Sequence, residues 1–414
     1  MHKVFFNAMQ KVSFFALLLA IFSIHLPTRF MDVMLALLFI SWALSGDYVA
    51  KINRIKSNVG AMSAIGLFLA FSIGMIYSSV PLHESFRGWF KYHGLLFIPI
   101  AVSILQKKSE RDFAILTYIL GALLVVLLCY GKWLGLVPID FVRDEATLSY
   151  PVVFRHSISQ NIFVAFAIYL MMFKAKSSEG LTQKLWIIAI ILSLGSILFL
   201  VDSRSAQVAM ALIAAFFLYL NWKSAYIKYI ASFVVLGALM IYSFFPHMKI
   251  MEIRNEIKLT KNQQVATSSG QRLELWANTW TLIERKPILG GGAGSLVHEY
   301  STYVPKDRIM TMPQFDNIHN QYLTVLQEFG FLGLSFLIIF FLYQWEAATR
   351  SSLVDIRQSF QGLIITYVAT SFFNSMLWGG EAKCYYLMAA VFLSTEVIRK
   401  KNKWHISSIL LKFK

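Results

Sequence analysis

Cysteine is nearly missing from this chain, with two among 414 residues: Cys129 inside one apolar run and Cys384 near the end of another, neither with a C-x-x-C companion. That excludes a zinc knuckle or a redox pair and gives a disulfide little support. Charge is scarce as well, at 14% of residues against about a quarter in an ordinary soluble domain. No H-E-x-x-H, Asp-x-Asp or paired His spacing occurs, so no metal site and no cofactor is expected. Internal repeats and low-complexity tracts are absent, and so is the ten-residue alternation of a membrane β-barrel. Lys3 and Lys11 precede the first apolar run, but no small-residue cleavage site follows it, which reads as an uncleaved first helix.

What the chain does have is apolar length: 57% of residues are hydrophobic and mean hydropathy is +0.59. Crossing a bilayer as a helix takes about 20 mostly apolar residues. Apolar windows fall near 12–27, 31–46, 59–79, 93–106, 112–136, 157–173, 185–201, 205–221, 226–245, 320–345, 358–378 and 383–398. The expected fold is therefore an all-α polytopic membrane protein of about twelve transmembrane helices.

The net charge of +16 is spread in short clusters between these windows, with no aromatic-interleaved patch of the kind that binds nucleic acid. Every even-numbered connection is basic: Lys51, Arg54 and Lys56; Lys107, Lys108 and Arg111; Lys174, Lys176 and Lys184; Lys223 and Lys228; Arg350 and Arg357; Arg399 to Lys403. By the positive-inside rule both termini are expected in the cytoplasm, and the one long connection, residues 247–319, faces outward. This divides the chain into spans one to nine (1–246), a large outer loop between spans nine and ten (247–319), and spans ten to twelve with the C-terminus (320–414).

Inside the loop, Leu273, Trp276, Trp280 and Ile283 recur at helical spacing over residues 271–284, and Pro287 with Gly290-Gly291-Gly292 ends the pattern. An amphipathic helix at the membrane face is expected. The glycine run lacks the Gly-Lys-Ser/Thr ending of a phosphate loop and reads as a turn. The next-longest outer connection, 138–156, carries Arg143, Asp144, Glu145, Arg155 and His156 and is a second place for polar groups of one site.

Three positions put ionisable groups at the outer boundary of the membrane. Arg204 lies in Asp202-Ser203-Arg204-Ser205, a hairpin too short to carry its charge far from the bilayer; it either lines a cavity, pairs with Asp202 or anchors a headgroup. Arg272 opens the loop helix, as a ligand or as a solvated face residue. His319, followed by Asn320, is expected in the first turn of span ten, near the positive end of the macrodipole, which favours the neutral, proton-accepting ring; its bland role is capping or anchoring. Gly330 and Gly333, eleven and fourteen residues on, return to a similar helical face and allow close packing.

Together these stretches resemble the O-antigen ligase family, within the wider group of O-antigen polymerases and O-linked oligosaccharyltransferases. The family pattern of His, Asn/Ser/Gln, nine residues, Gly, two residues and Gly/Thr/Tyr is met by His319, Asn320, Gly330 and Gly333. Asp202-Ser203-Arg204-Ser205, and Ser269-Gly270-Gln271-Arg272 through Pro287-Ile288-Leu289-Gly290, look like its other signatures. The chain departs from the family's Arg-x-x-x-Leu, since Trp276 stands four positions after Arg272 and Val208 four after Arg204.

The resemblance implies an undecaprenyl-diphosphate-linked glycan donor, a lipid A-core acceptor, surrounding membrane lipids, and a site on the periplasmic face of a Gram-negative inner membrane. It implies Arg204 and Arg272 on the diphosphate, His319 as base, Asn320 orienting His319 or a sugar hydroxyl, and inverting transfer without a metal. One dominant loop favours a ligase over a polymerase. A polyprenyl-glycan flippase is the reading from a different class; it predicts repeat symmetry between the halves, which the sequence lacks.

Overall fold

The computed structural model describes residues 2–138, 151–201, 203–222, 268–305 and 317–394. Among the described residues there are fifteen α-helices and no strand. In chain order they are α1 (His2–Ser23), α2 (Thr28–Leu44), α3 (Tyr48–Ser57), α4 (Val59–Ile73), α5 (Leu82–Phe90), α6 (Phe97–Ile104), α7 (Lys108–Trp133), α8 (Ser157–Ser177), α9 (Gly180–Gly195), α10 (Arg204–Asn221), α11 (Ser268–Arg285), α12 (Leu296–Tyr303), α13 (Gln321–Arg350), α14 (Val354–Thr370) and α15 (Gly379–Leu393). A 3-10 turn, His93–Leu96, leads into α6, and a π-helical turn, Ser196–Leu200, extends α9.

Among the described residues, six helices are long and apolar enough to cross a membrane: Val4–Ser23, Lys108–Trp133, Ser157–Ser177, Gly180–Leu200, Arg204–Asn221 and Gln321–Arg350. The pair α2 and α3, bent by 116°, makes a seventh if taken as one broken span. Helices occupy eleven of the twelve apolar windows; the ninth, 226–245, lies outside the described residues. Some windows differ from a plain helix. Residues 93–106 hold the 3-10 turn and the short α6, in 59–79 the helix stops at Ile73, and in 358–378 the helix stops at Thr370, so 371–378 form a connection. Most of 93–106 is buried, whereas Phe372 and Phe373 of the connection are exposed; hydropathy does not separate an apolar turn from an apolar helix in either setting.

At the centre, α8 and α15 are covered nearly all round, from Ser159 to Met171 and from Ala382 to Leu393. This is why neither shows an apolar stripe. Tyr118 Oη donates to Phe163 O (2.9 Å) and Tyr169 Oη to Gln358 O (3.0 Å), satisfying hydroxyls inside this core. Cys129 and Cys384 are both buried and free.

Hydrogen bonds between helix ends set the direction of each element. Gln344 Nε2 donates to Gly60 O (2.9 Å), Asn58 Nδ2 to Leu393 O (2.9 Å), and Lys176 Nζ to Asn221 Oδ1 (2.7 Å). At the other end, Asn161 Nδ2 donates to Val201 O (2.5 Å), Gln321 N to Ser371 O (2.8 Å), and Ser159 Oγ to Glu381. The starts of α8, α10, α13 and α15 therefore share one end. The described basic connections, Lys51 to Arg54, Lys107 to Arg111, Lys174 to Lys184 and Arg350 to Arg357, gather at the opposite end.

Candidate active site

The loop helix expected over 271–284 runs Ser268–Arg285, but its buried face differs from the expected stripe. Leu275, Asn278, Thr279, Leu282 and Ile283 are covered, while Leu273 and Trp280 are about half exposed. Leu275 and Leu282 pack with Leu296 and Tyr300 of the second loop helix, with its C-cap Val304 and with Ile318. Burial is decided by α12 and by the chain before α13, neither of which a helical period within 271–284 can register.

His319 does not lie in the first turn of the helix. α13 begins at Gln321, and Asn320 is its N-cap, with Oδ1 accepting from Tyr322 N and Leu323 N, both at 3.0 Å. The Asn320 side chain also donates to Phe372 O (3.1 Å), so it fixes the helix start against the α14–α15 connection. An N-cap asparagine outcompetes a histidine for the orphan amides, which pushes His319 outside the helix. There it takes φ 51°, one of two positive values at non-glycine residues among those described.

That left-handed conformation costs about 1–3 kcal/mol and needs support from its surroundings. Asn317 Oδ1 accepts from His319 N (2.8 Å) and from Ser375 Oγ (2.7 Å), and His319 Nδ1 lies 3.2 Å from Asn374 Oδ1. With Asn374 Oδ1 as the acceptor, the neutral ring carries its hydrogen on Nδ1 and its basic nitrogen is Nε2. Sequence reasoning assigned no role to Asn317, Asn374 or Ser375. Asn317 stands two residues before the histidine, but the other two lie over 50 residues away, within a window expected to be helix.

Trp276 ties the loop helix to this segment by donating from Nε1 to Ile318 O (2.8 Å), the carbonyl next to His319. The tryptophan that replaces the family's leucine thus has a polar task. Arg272 stands one turn earlier, about 6 Å back along the helix axis. Burial, and then the charge of Arg204, hold its guanidinium below the usual arginine range. Arg204 is the first residue of α10. Asp202, its other candidate partner, lies outside the described residues. Two guanidiniums in mutual repulsion thus lie half-buried at the end of the bundle that also holds His319.

What holds the loop in place is a break in α13. Gly330 has φ 62° and ψ −166°, a conformation all but restricted to glycine, in the middle of Gln321–Arg350. Gly330 and Gly333 therefore do not share the face of one continuous helix. A break frees backbone amides on one side and carbonyls on the other, and buried ones need partners. The stretch 287–292 supplies them: Phe331 N donates to Pro287 O (2.8 Å), Leu332 N to Ile288 O (3.2 Å), Gly291 N to Gln327 O (2.8 Å) and Gly292 N to Glu328 O (2.8 Å).

A Cβ on Gly330 would sit 2.2 Å from Ile288 O, and one on Gly290 2.6 Å from Gln327 O. Opposite α13, Ser79 N donates to Gly291 O (2.9 Å) and Ala293 N to Gly74 O (3.0 Å). The glycine run is a turn, as expected, and also a strap clamped between α13 and the α4–α5 connection. Glu299 of α12 completes the clamp, accepting from Lys286 Nζ (2.8 Å), Ser79 Oγ (3.0 Å) and Gln327 Nε2 (3.0 Å).

Residues 187–338 match the family model described as O-antigen ligase. Over that segment the chain belongs to the O-antigen ligase/polymerase superfamily. The matched stretch contains Arg204, Arg272, Trp276, the glycine strap, His319, Asn320, Gly330 and Gly333, so the superfamily segment and the geometric site coincide. A search of curated proteins returned no match.

Arg155, from the other outer connection, is built into the bundle. It is 6% exposed and donates to Ile24 O (3.2 Å) and Thr28 Oγ1 (2.8 Å), tying the start of α8 to the α1–α2 turn. Arg143, Asp144 and Glu145 lie outside the described residues. Among the described residues no three His, Cys, Asp or Glu side chains come together as metal ligands would.

Proposed function

We propose that this protein is a lipopolysaccharide O-antigen ligase of a Gram-negative inner membrane, moving a glycan from undecaprenyl diphosphate to a sugar hydroxyl of lipid A-core. The observation that carries the reading is that Arg272 sits in the field of Arg204, on a helix whose Trp276 is bonded to the residue beside His319. In this reading the protein has twelve spans, with the site on the periplasmic face and both termini in the cytoplasm; collection of the described basic connections at the end away from His319 supports it.

Arg204 and Arg272 bind the donor's diphosphate oxygens, in the forked geometry that guanidinium groups offer to phosphates. His319 Nε2 takes the proton of the acceptor hydroxyl as that oxygen bonds to the anomeric carbon from the side opposite the leaving group. The bond from the anomeric carbon to the phosphate oxygen breaks, configuration inverts, and undecaprenyl diphosphate departs with its charge balanced by the two arginines. Asn374 holds the ring on its other nitrogen, and Asn320 holds the start of α13.

The test is transfer by purified protein, given undecaprenyl-diphosphate glycan and lipid A-core, with and without EDTA. Glycan on lipid A-core at equal rates in both arms is the expected result. Extension of the glycan on its polyprenyl carrier would instead make the protein a polymerase, and loss of transfer in EDTA would remove the metal-independent mechanism.

A further inference from the structure

The end of the bundle away from His319 contains a cavity of about 260 Å³ between the start of α7, the end of α8 and the start of α14. Lys108, Arg111 and Lys174 line it, together with Asp112 and Asp355. In the sequence these cations read only as topology signals. Arg111 is 4% exposed, so its guanidinium belongs to the cavity wall and not to open solvent. Its Nη2 donates to Asp112 Oδ1 at 3.4 Å, while the buried Nε, as far from the same oxygen, has no hydrogen-bond acceptor. A buried donor left open on a charged group calls for an acceptor from outside the chain.

The start of α14 adds donors of another kind. Its N-cap, Leu353, offers no side-chain acceptor, so a helix start without a side-chain cap borders the cavity at Leu353, Val354 and Asp355. Three cations against two carboxylates leave one net positive charge, which suits a phosphodiester better than a doubly charged phosphate. Apart from Ser177 and Ser359, the remaining wall is apolar, with Ile115, Leu170, Phe173 and Ile356. Water-soluble phosphates gain nothing from such a wall, whereas an acyl chain does.

We infer that this cavity binds the phosphodiester headgroup of an anionic phospholipid, with Lys108, Arg111 and Lys174 on the phosphate and an acyl chain along Leu170 and Phe173. Basic pockets between helices at a membrane surface suit such headgroups, each cation near the surface contributing about a factor of five. The inference is independent of the reaction proposed for the other end.

The experiment uses the full chain in neutral detergent micelles, titrated separately with phosphatidylglycerol, phosphatidylcholine and inorganic phosphate, with retained ligand counted by native mass spectrometry. Phosphatidylglycerol should bind, the other two should not, and Lys108→Gln/Lys174→Gln should weaken binding roughly ten- to thirtyfold. Lys184→Gln, which removes a charge from the same end but not from the cavity wall, should bind as the unaltered protein does. Equal retention of phosphatidylcholine, or unchanged phosphatidylglycerol binding in the double variant, overturns the assignment. Binding of inorganic phosphate in place of the lipid overturns the lipid occupant and leaves a free-phosphate site.

Discussion

Replacing Gly330 by Ala tests whether the strap is what seats the loop that precedes α13. The native φ of 62° and ψ of −166° cost a residue with a Cβ about 1–3 kcal/mol in backbone strain. The new methyl would also lie 2.2 Å from Ile288 O, so the strap must retreat. Retreat loosens at least the bonds from Phe331 N and Leu332 N, each contributing about 0.5–1.5 kcal/mol net. The sum, about 2–6 kcal/mol, raises the local opening equilibrium from roughly thirtyfold to over ten-thousandfold. Hydrogen exchange reads this directly at Gly291 N and Gly292 N, which are bonded to Gln327 O and Glu328 O.

Gly66 supplies the control, because a Cβ there meets nothing within 4 Å. Gly66→Ala should leave exchange over 287–294 unchanged, while Gly330→Ala should accelerate it and lower transfer, since Arg272 loses its fixed approach to His319. Unaltered exchange at Gly291 and Gly292 in Gly330→Ala would refute the argument that the break and the strap satisfy each other.

Other outcomes follow from single contacts. Trp276→Phe keeps an aromatic ring but leaves Ile318 O without its indole donor, so kcat should fall by about tenfold or more while unfolding temperature changes little; normal turnover would mean that the staple is dispensable. Arg272→Gln relieves repulsion with Arg204, so the protein without donor should be as stable or up to about 1 kcal/mol more stable while donor KM rises; a destabilised variant would count against the paired-cation geometry. His319→Ala should abolish transfer yet retain labelled undecaprenyl diphosphate in a filter-binding assay, and residual ligation near the unaltered level would remove the base. Asn374→Ala should shift the pH profile of kcat and reduce kcat about ten- to hundredfold, with Asn374→Asp restoring part of the rate; identical profiles would deny Asn374 a part in orienting the ring.

Membrane residence, helices in eleven of the twelve apolar windows, and the candidacy of Arg204, Arg272 and His319 were all readable from the chain. Each rests on a local property: apolar length, the sign of charge in a connection, or residue types at fixed spacing. The stop of α14 at Thr370 and the turn carrying Asn374 were not readable, because Phe372, Phe373, Met376 and Leu377 make the connection read like the helix before it. Nor was the buried face of α11, which α12 and Ile318 choose.

Sequence alone determined that this is a helical membrane protein and singled out two arginines and a histidine as candidates, since hydropathy and motif spacing are properties of one dimension. Only the tertiary structure decided how they are held: Asn320 capping the helix, His319 outside it against Asn374, Trp276 on Ile318, and a glycine strap closing the break at Gly330. Backbone groups freed by a break must be satisfied by whatever the fold brings near, and here the partners lie about 40 residues away along the chain, beyond the reach of any local pattern.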